Sequence, residues 1–304
     1  MFPIPPHYPA GFIRNQIAQH ALPLCSQRIG YNLGLMSANR LSDNSWRHAD
    51  DLMLRAVLFA VVFVLTHASL LLLYPFSGER FLLCSFLFAS GTACMLWVLF
   101  HPQSQWLVDA RCRVTCQERP CIALTFDDGP TAEHTVRILD VLRDKGVSAT
   151  FFLVGNRVER FPELARRICA EGHEIGNHTY SHPSLFCFLT PGRLREEIER
   201  GQDAISRACG VRPRYFRSPV GLRHALLRPY LKSAGLEYIS WRIRSFDTID
   251  SSSLRTRILG FVRSGDIILL HDNSQAERGG MVDVIPGVID ELRNRGYRLV
   301  PVES

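Results

Sequence analysis

Two uncharged apolar runs stand back to back in this chain and constrain it more than any other feature. Ala56 to Phe76 (AVLFAVVFVLTHASLLLLYPF) holds one histidine and no charge, and Phe81 to Phe100 (FLLCSFLFASGTACMLWVLF) is uncharged throughout. Each run has the length and polarity of a membrane-spanning helix. Only Ser77-Gly78-Glu79-Arg80 separates them, so two spans would make an antiparallel transmembrane hairpin over residues 52–100. A buried hairpin of a soluble domain is the competing reading, but no amphipathic segment surrounds the runs to cover it. Arg40, Arg47 and Arg55 precede the runs and Arg111, Arg113 and Arg119 follow them, against Arg80 alone in the turn. The positive-inside rule therefore predicts a multi-pass protein of a bacterial inner membrane, with everything after residue 100 in the cytoplasm.

The rest of the 304-residue chain is ordinary in composition. With 46% hydrophobic and 21% charged residues, it is neither disordered nor collagen-like. The formal charge of +6 comes almost wholly from arginine, since the only lysines are Lys145 and Lys232. No block of five like charges occurs, which argues against a nucleic-acid partner. The nine cysteines form no Cys-x-x-Cys pair, and Cys112, Cys116 and Cys121 lack the spacing of a zinc knuckle. They read as free thiols of a reducing compartment. Residues 1–51, rich in Pro, Asn, Ser and His, show no helical or strand period and are expected to be disordered. MFPIPPHYPAGF has neither the basic start nor the apolar stretch of a secretory signal.

After Pro120 short apolar runs alternate with helical stretches. Strands are predicted over 121–126, 149–154, 174–176, 215–217, 238–242, 266–270 and 298–302, and helices near 132–145, 160–171, 191–208, 223–235, 252–264 and 283–295. Gly146 and Gly172 stand where helix C-termini favour glycine. Strict alternation implies a parallel sheet covered by helices, an open sheet or a barrel. No Gly-x-Gly-x-x-Gly follows the first strand, which removes the main argument for a dinucleotide site.

The polar residues that look out of place all follow strands: Asp127 and Asp128, His178 and His182, Arg217, Asp247, and His271 with Asp272. In a parallel α/β barrel those strand ends share one face, which carries the active site. Adjacent carboxylates repel, and a metal resolves the repulsion. His178 and His182, spaced i, i+4, would present both rings to one ion from a helical turn, and with Asp128 they leave a coordination position open, as catalytic rather than structural sites do. Asp127 then suits a base, Arg217 a partner that aims it, His271 an acid, and Asp247 the carboxylate that tethers the acid. That set is equipment for hydrolysing an amide or ester.

At these residues the chain resembles the polysaccharide deacetylase family, the NodB-homology or carbohydrate esterase family 4 domain, across roughly residues 118–304. Thr125-Phe126-Asp127-Asp128-Gly129-Pro130 is similar to its first motif and His178-Thr179-Tyr180-Ser181-His182 to its metal motif. Arg217-Ser218-Pro219 is similar to the third motif and Leu269-Leu270-His271 to the last. The resemblance implies a distorted seven-stranded (β/α)7 TIM-like barrel. It also implies a divalent ion, zinc with cobalt or nickel as alternatives, on Asp128, His178 and His182. Asp127 would be the base, His271 the acid, and Leu269 a wall of the acetyl-methyl pocket. Pro219 and Val220 would border the substrate, with a backbone N–H near Val220 stabilising the oxyanion.

Two departures bear on substrate. The family usually places tyrosine where Val220 stands, and tryptophan where Ser251 follows Asp247-Thr248-Ile249-Asp250. At Val220 a side-chain contact is lost and at Ser251 a wall of the sugar groove, and the pair of changes speaks against a long polymer. With a membrane hairpin, it leads to the expectation of a metal-dependent N-deacetylase acting on a lipid-linked amino sugar. The alternatives are a periplasmic peptidoglycan or polysaccharide N-deacetylase and an inactive sugar-binding membrane protein. A sugar isomerase is disfavoured by the first motif.

Overall fold

The computed structural model describes residues 68, 78–249, 253–272 and 280–303. Segment 1–51 and the first arm of the expected hairpin, apart from Ala68, lie outside the described residues. The second arm forms helix α1 (Gly78–Phe100). Among the described residues no helix is long and apolar enough to cross a membrane, so the two-span hairpin is not found. Ser85, Ser90, Gly91 and Thr92 interrupt the apolar residues of α1, while Leu82, Leu83, Phe86, Leu87, Phe88 and Trp97 are exposed on it.

Beyond α1 the chain builds a parallel sheet wrapped by helices. The strands are β1 (Ala110–Arg111), β2 (Cys121–Gly129), β3 (Thr150–Leu153), β4 (Glu174–Asn177), β5 (Tyr215–Phe216), β6 (Glu237–Ile239), β7 (Ile243–Arg244), β8 (Ile267–His271) and β9 (Arg298–Val300). Between them run α2 (His134–Lys145), α3 (Gly155–Arg160), α4 (Pro162–Ala170), α5 (Pro191–Cys209), α6 (Leu227–Ala234), α7 (Leu254–Phe261) and α8 (Met281–Asn294). The order across the sheet is β1-β6-β5-β4-β3-β2-β8-β7, with β9 against the start of β2.

The path has two ends, β1 and β7, so the sheet curls as an open half-barrel, which corrects the expected seven-stranded barrel. The expected strand 238–242 is broken into β6 and β7 because it changes partner along its length, from β1 and β5 to β8. Ser240 N–H bonds Arg111 O and Arg242 N–H bonds Ile267 O, each at 2.9 Å. The two residues of β1 are too few to carry a period. The helix expected near 160–171 is α4, opened by Pro162, while the short α3 before it has no counterpart among the expected helices.

Strand alternation sorts the core into an inside and an outside. Along β2, Ile122, Leu124 and Phe126 join the outer cluster, packed with Ile138, Leu139 and Leu142 of α2 and Ile285, Val288 and Ile289 of α8. Cys121 and Ala123 instead join the inner cluster with Phe152, Tyr215, Ile239, Trp241, Ile267 and Leu269. The α2 helix ends as its sequence predicts. Gly146 adopts φ 56°, and the N–H of Val147 reaches back to Leu142 O at 2.9 Å.

The free-thiol expectation is corrected at one place. Cys116 and Cys121 form a disulfide, with Cα atoms 5.5 Å apart. The turn from Thr115 to Pro120 brings together two cysteines whose spacing resembles no standard motif. The described Cys84, Cys94, Cys112, Cys169, Cys187 and Cys209 are free.

Candidate active site

Inward phase delivers the first carboxylate without any special device: Thr125 and Asp127 follow Ala123 on the inner side of β2. Strict alternation would then send Asp128 outward among the helices. A shift of register between Asp127 and Gly129 prevents this, and Asp128 takes a left-handed φ of 73°, unusual for a residue other than glycine. Both carboxylates thereby face the barrel mouth. Arg157 donates to the Asp128 carbonyl and holds the bulge from outside.

The two histidines come together, although not on the helical turn that their spacing suggested. The loop after β4 turns through Thr179 at φ 68° and His182 at φ 55°. Asn177 Oδ1 accepts the Thr179 N–H at 2.8 Å, and Thr179 Oγ1 accepts the His182 N–H at 3.1 Å. From α5, the buried Glu197 takes both the N–H and the hydroxyl of Ser181, at 2.8 and 2.7 Å. The imidazole centroids end 5.0 Å apart. His178 Nδ1–H donates to Arg217 O at 2.8 Å, and a carbonyl can only accept, so Nε2 is the nitrogen turned to the site.

His178 Nε2 lies 3.5 Å and His182 Nε2 3.2 Å from Asp128 Oδ1. One ligand atom from each of the three residues falls within 4.8 Å of the others. Two imidazole nitrogens and a carboxylate with no donor built between them suit a divalent cation. Burial alone would raise the Asp128 carboxyl, but hydrogen bonds and charge from His178 and His182 outweigh it and hold the carboxyl well below its ordinary range.

Asp127 and Arg217 form a fully enclosed pair, Nη1 to Oδ1 at 2.6 Å. Every arm of the guanidinium is engaged: Nε with Ile239 O at 3.1 Å, Nη1 also with Thr125 Oγ1 at 2.8 Å, Nη2 with Ser240 O at 3.1 Å. The Phe152 ring lies 4.0 Å and the Trp241 ring 5.6 Å from its central carbon, a stacked setting suited to arginine rather than lysine. The free Oδ2 of Asp127 is 3.8 Å from His178 Nε2.

On the other side of Asp127, in register with it, stands His271 at the end of β8. Its Nδ1 bonds Asp247 Oδ1 at 2.8 Å, and its N–H bonds Asp247 Oδ2 at 2.8 Å. Ser245 Oγ donates to the same carboxylate at 2.6 Å. Burial would lower the His271 imidazole. The Asp247 hydrogen bond and charge, with the charges of Asp127 and Asp128, raise it above its ordinary value. Burial would raise Asp247, and His271 with Ser245 brings it down.

Leu269 is buried two residues before His271 on the same inward face. Pro219 is buried in the short 3-10 turn after Arg217, and Val220, at φ 57°, is half exposed beside it. Asp250 and Ser251 of the fourth motif lie outside the described residues. The sequence reading missed the residues that hold the others: Thr125, Ser240 and Trp241 around Arg217, and Asn177 and Glu197 behind the histidines. Thr125 carried a signal, a polar residue in the inward phase of an apolar strand. Glu197 carried none, being one acid among several on an amphipathic helix. Asp272 has no assigned role in the sequence pattern. It is wholly buried, and that burial pushes its carboxyl up to about 8 against hydrogen bonds from Thr135 and Thr131.

The profile of the family described as Polysaccharide deacetylase matches residues 115–239. A peptidoglycan-N-acetylglucosamine deacetylase of Bacillus cereus is 36% identical over 188 residues, 60% of this chain and 67% of that protein. A chitooligosaccharide deacetylase of Azorhizobium caulinodans is 33% identical over 207 residues, 62% of this chain and 96% of the other. The chain belongs to the polysaccharide deacetylase family. Its members named here are amide hydrolases of carbohydrate, and the chain is an enzyme of that class. Among solved structures, peptidoglycan deacetylase PdaC from Bacillus subtilis superposes with a TM-score of 0.55 at 33% identity, covering 62% of this chain and 91% of that one. The profile stops before β7 and β8, so Asp247 and His271 join this polysaccharide deacetylase site through the sheet rather than through the matched segment.

Proposed function

We propose that this protein removes the acetyl group from an N-acetylated amino sugar in a metal-dependent hydrolysis. The observation that carries the reading is the meeting of three units at one mouth: Asp127 with Arg217, Asp128 with His178 and His182, and His271 with Asp247. A divalent ion, zinc with cobalt or nickel as alternatives, would be held by Asp128, His178 and His182 and would supply Lewis-acid polarisation of the acetyl carbonyl and the attacking water. Asp127, aimed by Arg217, accepts the proton of that water through Oδ2. His271, kept protonated by Asp247, gives a proton to the departing sugar nitrogen. Leu269 offers an apolar floor to the acetyl methyl, with Pro219 and Val220 at its edge. The products are acetate and a free amine.

For the sugar, the reading supported best is one carried on a lipid at the bacterial inner membrane. The apolar runs of 56–100 support attachment to the bilayer. Five exposed apolar residues stand in loops that follow strand C-termini: Leu185 and Phe188 after the histidines, Val220 after Arg217, and Phe246 and Ile249 around Asp247. An apolar rim on that face suits an amphiphilic substrate more than a hydrated polymer. The flanking arginines support a cytoplasmic domain.

A second reading has its own observation. The Cys116–Cys121 disulfide fits an oxidising compartment, and a domain facing outward would meet peptidoglycan, as the names of its relatives suggest. The test is acetate release by detergent-solubilised full-length protein with zinc, offered a polyprenyl-phosphate N-acetylhexosamine, chitin oligomers and peptidoglycan fragments, with Asp127→Asn as control. Release from the lipid-linked sugar alone supports the first reading and release from the polymers alone the second. Silence on all three overturns the enzymatic proposal.

A further inference from the structure

One acid at the mouth has no part in the chemistry above. Asp272 follows His271 directly and is completely buried. Its N–H donates to Asp127 O at 2.8 Å, extending the β2–β8 ladder one step past His271. Its carboxylate accepts the hydroxyl of Thr135 at 2.5 Å and that of Thr131 at 3.2 Å, and Thr131 Oγ1 also lies 3.0 Å from the Asp272 carbonyl. Thr135 Oγ1 in turn accepts the Thr131 N–H at 2.7 Å. The carboxylate rests against Gly129, where a Cβ would stand 2.3 Å from Asp272 Oδ2.

These contacts surround the bulge that turns Asp128 toward the mouth. On one side Asp127 O is fixed by Asp272, and on the other Gly129 O is fixed by the Val154 N–H at 2.8 Å. Gly129 lacks the side chain that would push Asp272 away. The left-handed φ of Asp128 is a strained conformation for a residue other than glycine, and it persists only where its surroundings over-determine it. We infer that Asp272 is a positioning residue, which clamps the loop from Gly129 to Thr135 onto the end of β8 and so fixes the metal-binding aspartate Asp128 relative to His271. This rests on the proposed function only for the identity of the ligand set. The β2–β8 ladder already sets Asp127 against His271; the Asp272 side chain adds the hold on the loop that follows Asp128.

The test is zinc binding by full-length protein, measured by competition with a chromophoric chelator in the absence of substrate. Supporting residues around a metal site typically contribute about 10–100-fold in affinity or activity. Asp272→Ala and, from the opposite side of the contact, Thr135→Val are each expected to weaken zinc binding by roughly tenfold or more. Asp272→Asn, which keeps the volume and one acceptor, should recover most of it. Where acetate release is measurable, kcat should fall in the same order with KM little changed. Unchanged zinc affinity in folded Asp272→Ala and Thr135→Val overturns the inference, even if activity is lost. If Asp272→Ala fails to fold, Thr135→Val alone decides. Because the readout needs no sugar, a failure here is separate from a failure of the deacetylase reading, which would leave zinc binding intact and acetate absent.

Discussion

Replacing Arg217 by methionine isolates the strongest electrostatic commitment in this fold. The arginine side chain is 0% and that of Asp127 4% exposed, so solvent screens neither partner. Methionine preserves the length and the apolar contact between Phe152 and Trp241. It strands the Asp127 carboxylate, and it removes the bonds to Thr125 Oγ1, Ile239 O and Ser240 O. Breaking a buried ion pair from one side costs about 3–5 kcal/mol because a charge is left without compensation. In a domain of this size that corresponds to a fall in melting temperature of roughly 6–20 °C. The assay is thermal unfolding of the detergent-solubilised chain followed by tryptophan fluorescence. The reasoning assigns most of the cost to the stranded charge, so adding Asp127→Asn should restore about 2 kcal/mol or more to Arg217→Met. The double variant would remain inactive. If Asp127→Asn restores no stability in that background, the loss belongs to packing, and the account of a base held by its arginine is wrong.

Three further outcomes follow from the same geometry. The raised imidazole of His271 keeps its proton above the ordinary histidine range, so acetate release should fall on the alkaline side as pH rises through that folded-state value. Asp247→Ala leaves burial to lower the group, and the alkaline limb of kcat should move to lower pH; an unmoved limb removes His271 as the acid. Chelator treatment should abolish acetate release and added zinc or cobalt restore it, while His182→Ala should raise the zinc dissociation constant by more than the roughly tenfold that loss of a supporting hydrogen bond causes. Cys116→Ser with Cys121→Ser should lower stability by about 2 kcal/mol, the contribution of closing so short a loop, and thiol titration of the native chain under denaturant should find those two cysteines unreactive until a reductant is added.

The sequence reading of the sheet succeeded where a residue's own phase decides its place. Ile122, Leu124 and Phe126 alternate with Ala123, Thr125 and Asp127, and the strand puts the first set under helices and the second inside. The same logic made Leu269 and His271 neighbours. It failed where a long-range partner breaks the period. Nothing local in Tyr238 to Arg242 tells that Arg217 will draw on the carbonyls of Ile239 and Ser240 and that the strand will divide there.

The sequence by itself picked out the candidate groups of the site. Those groups stand at or just after the predicted strands, and parallel strands bring their C-terminal ends to one face. Its order along the chain also determined which acid adjoins which, from Asp127 beside Asp128 to Asp272 beside His271. Only the tertiary structure decided how those groups are held. His178 and His182 meet through two left-handed turn residues and the buried Glu197 rather than on a helix. Cys116 meets Cys121 across a turn, and Asp128 faces inward because Gly129 leaves room for Asp272. Such arrangements depend on hydrogen bonds between residues far apart in the chain, like the 137 positions that separate Thr135 from Asp272, and no local period encodes them.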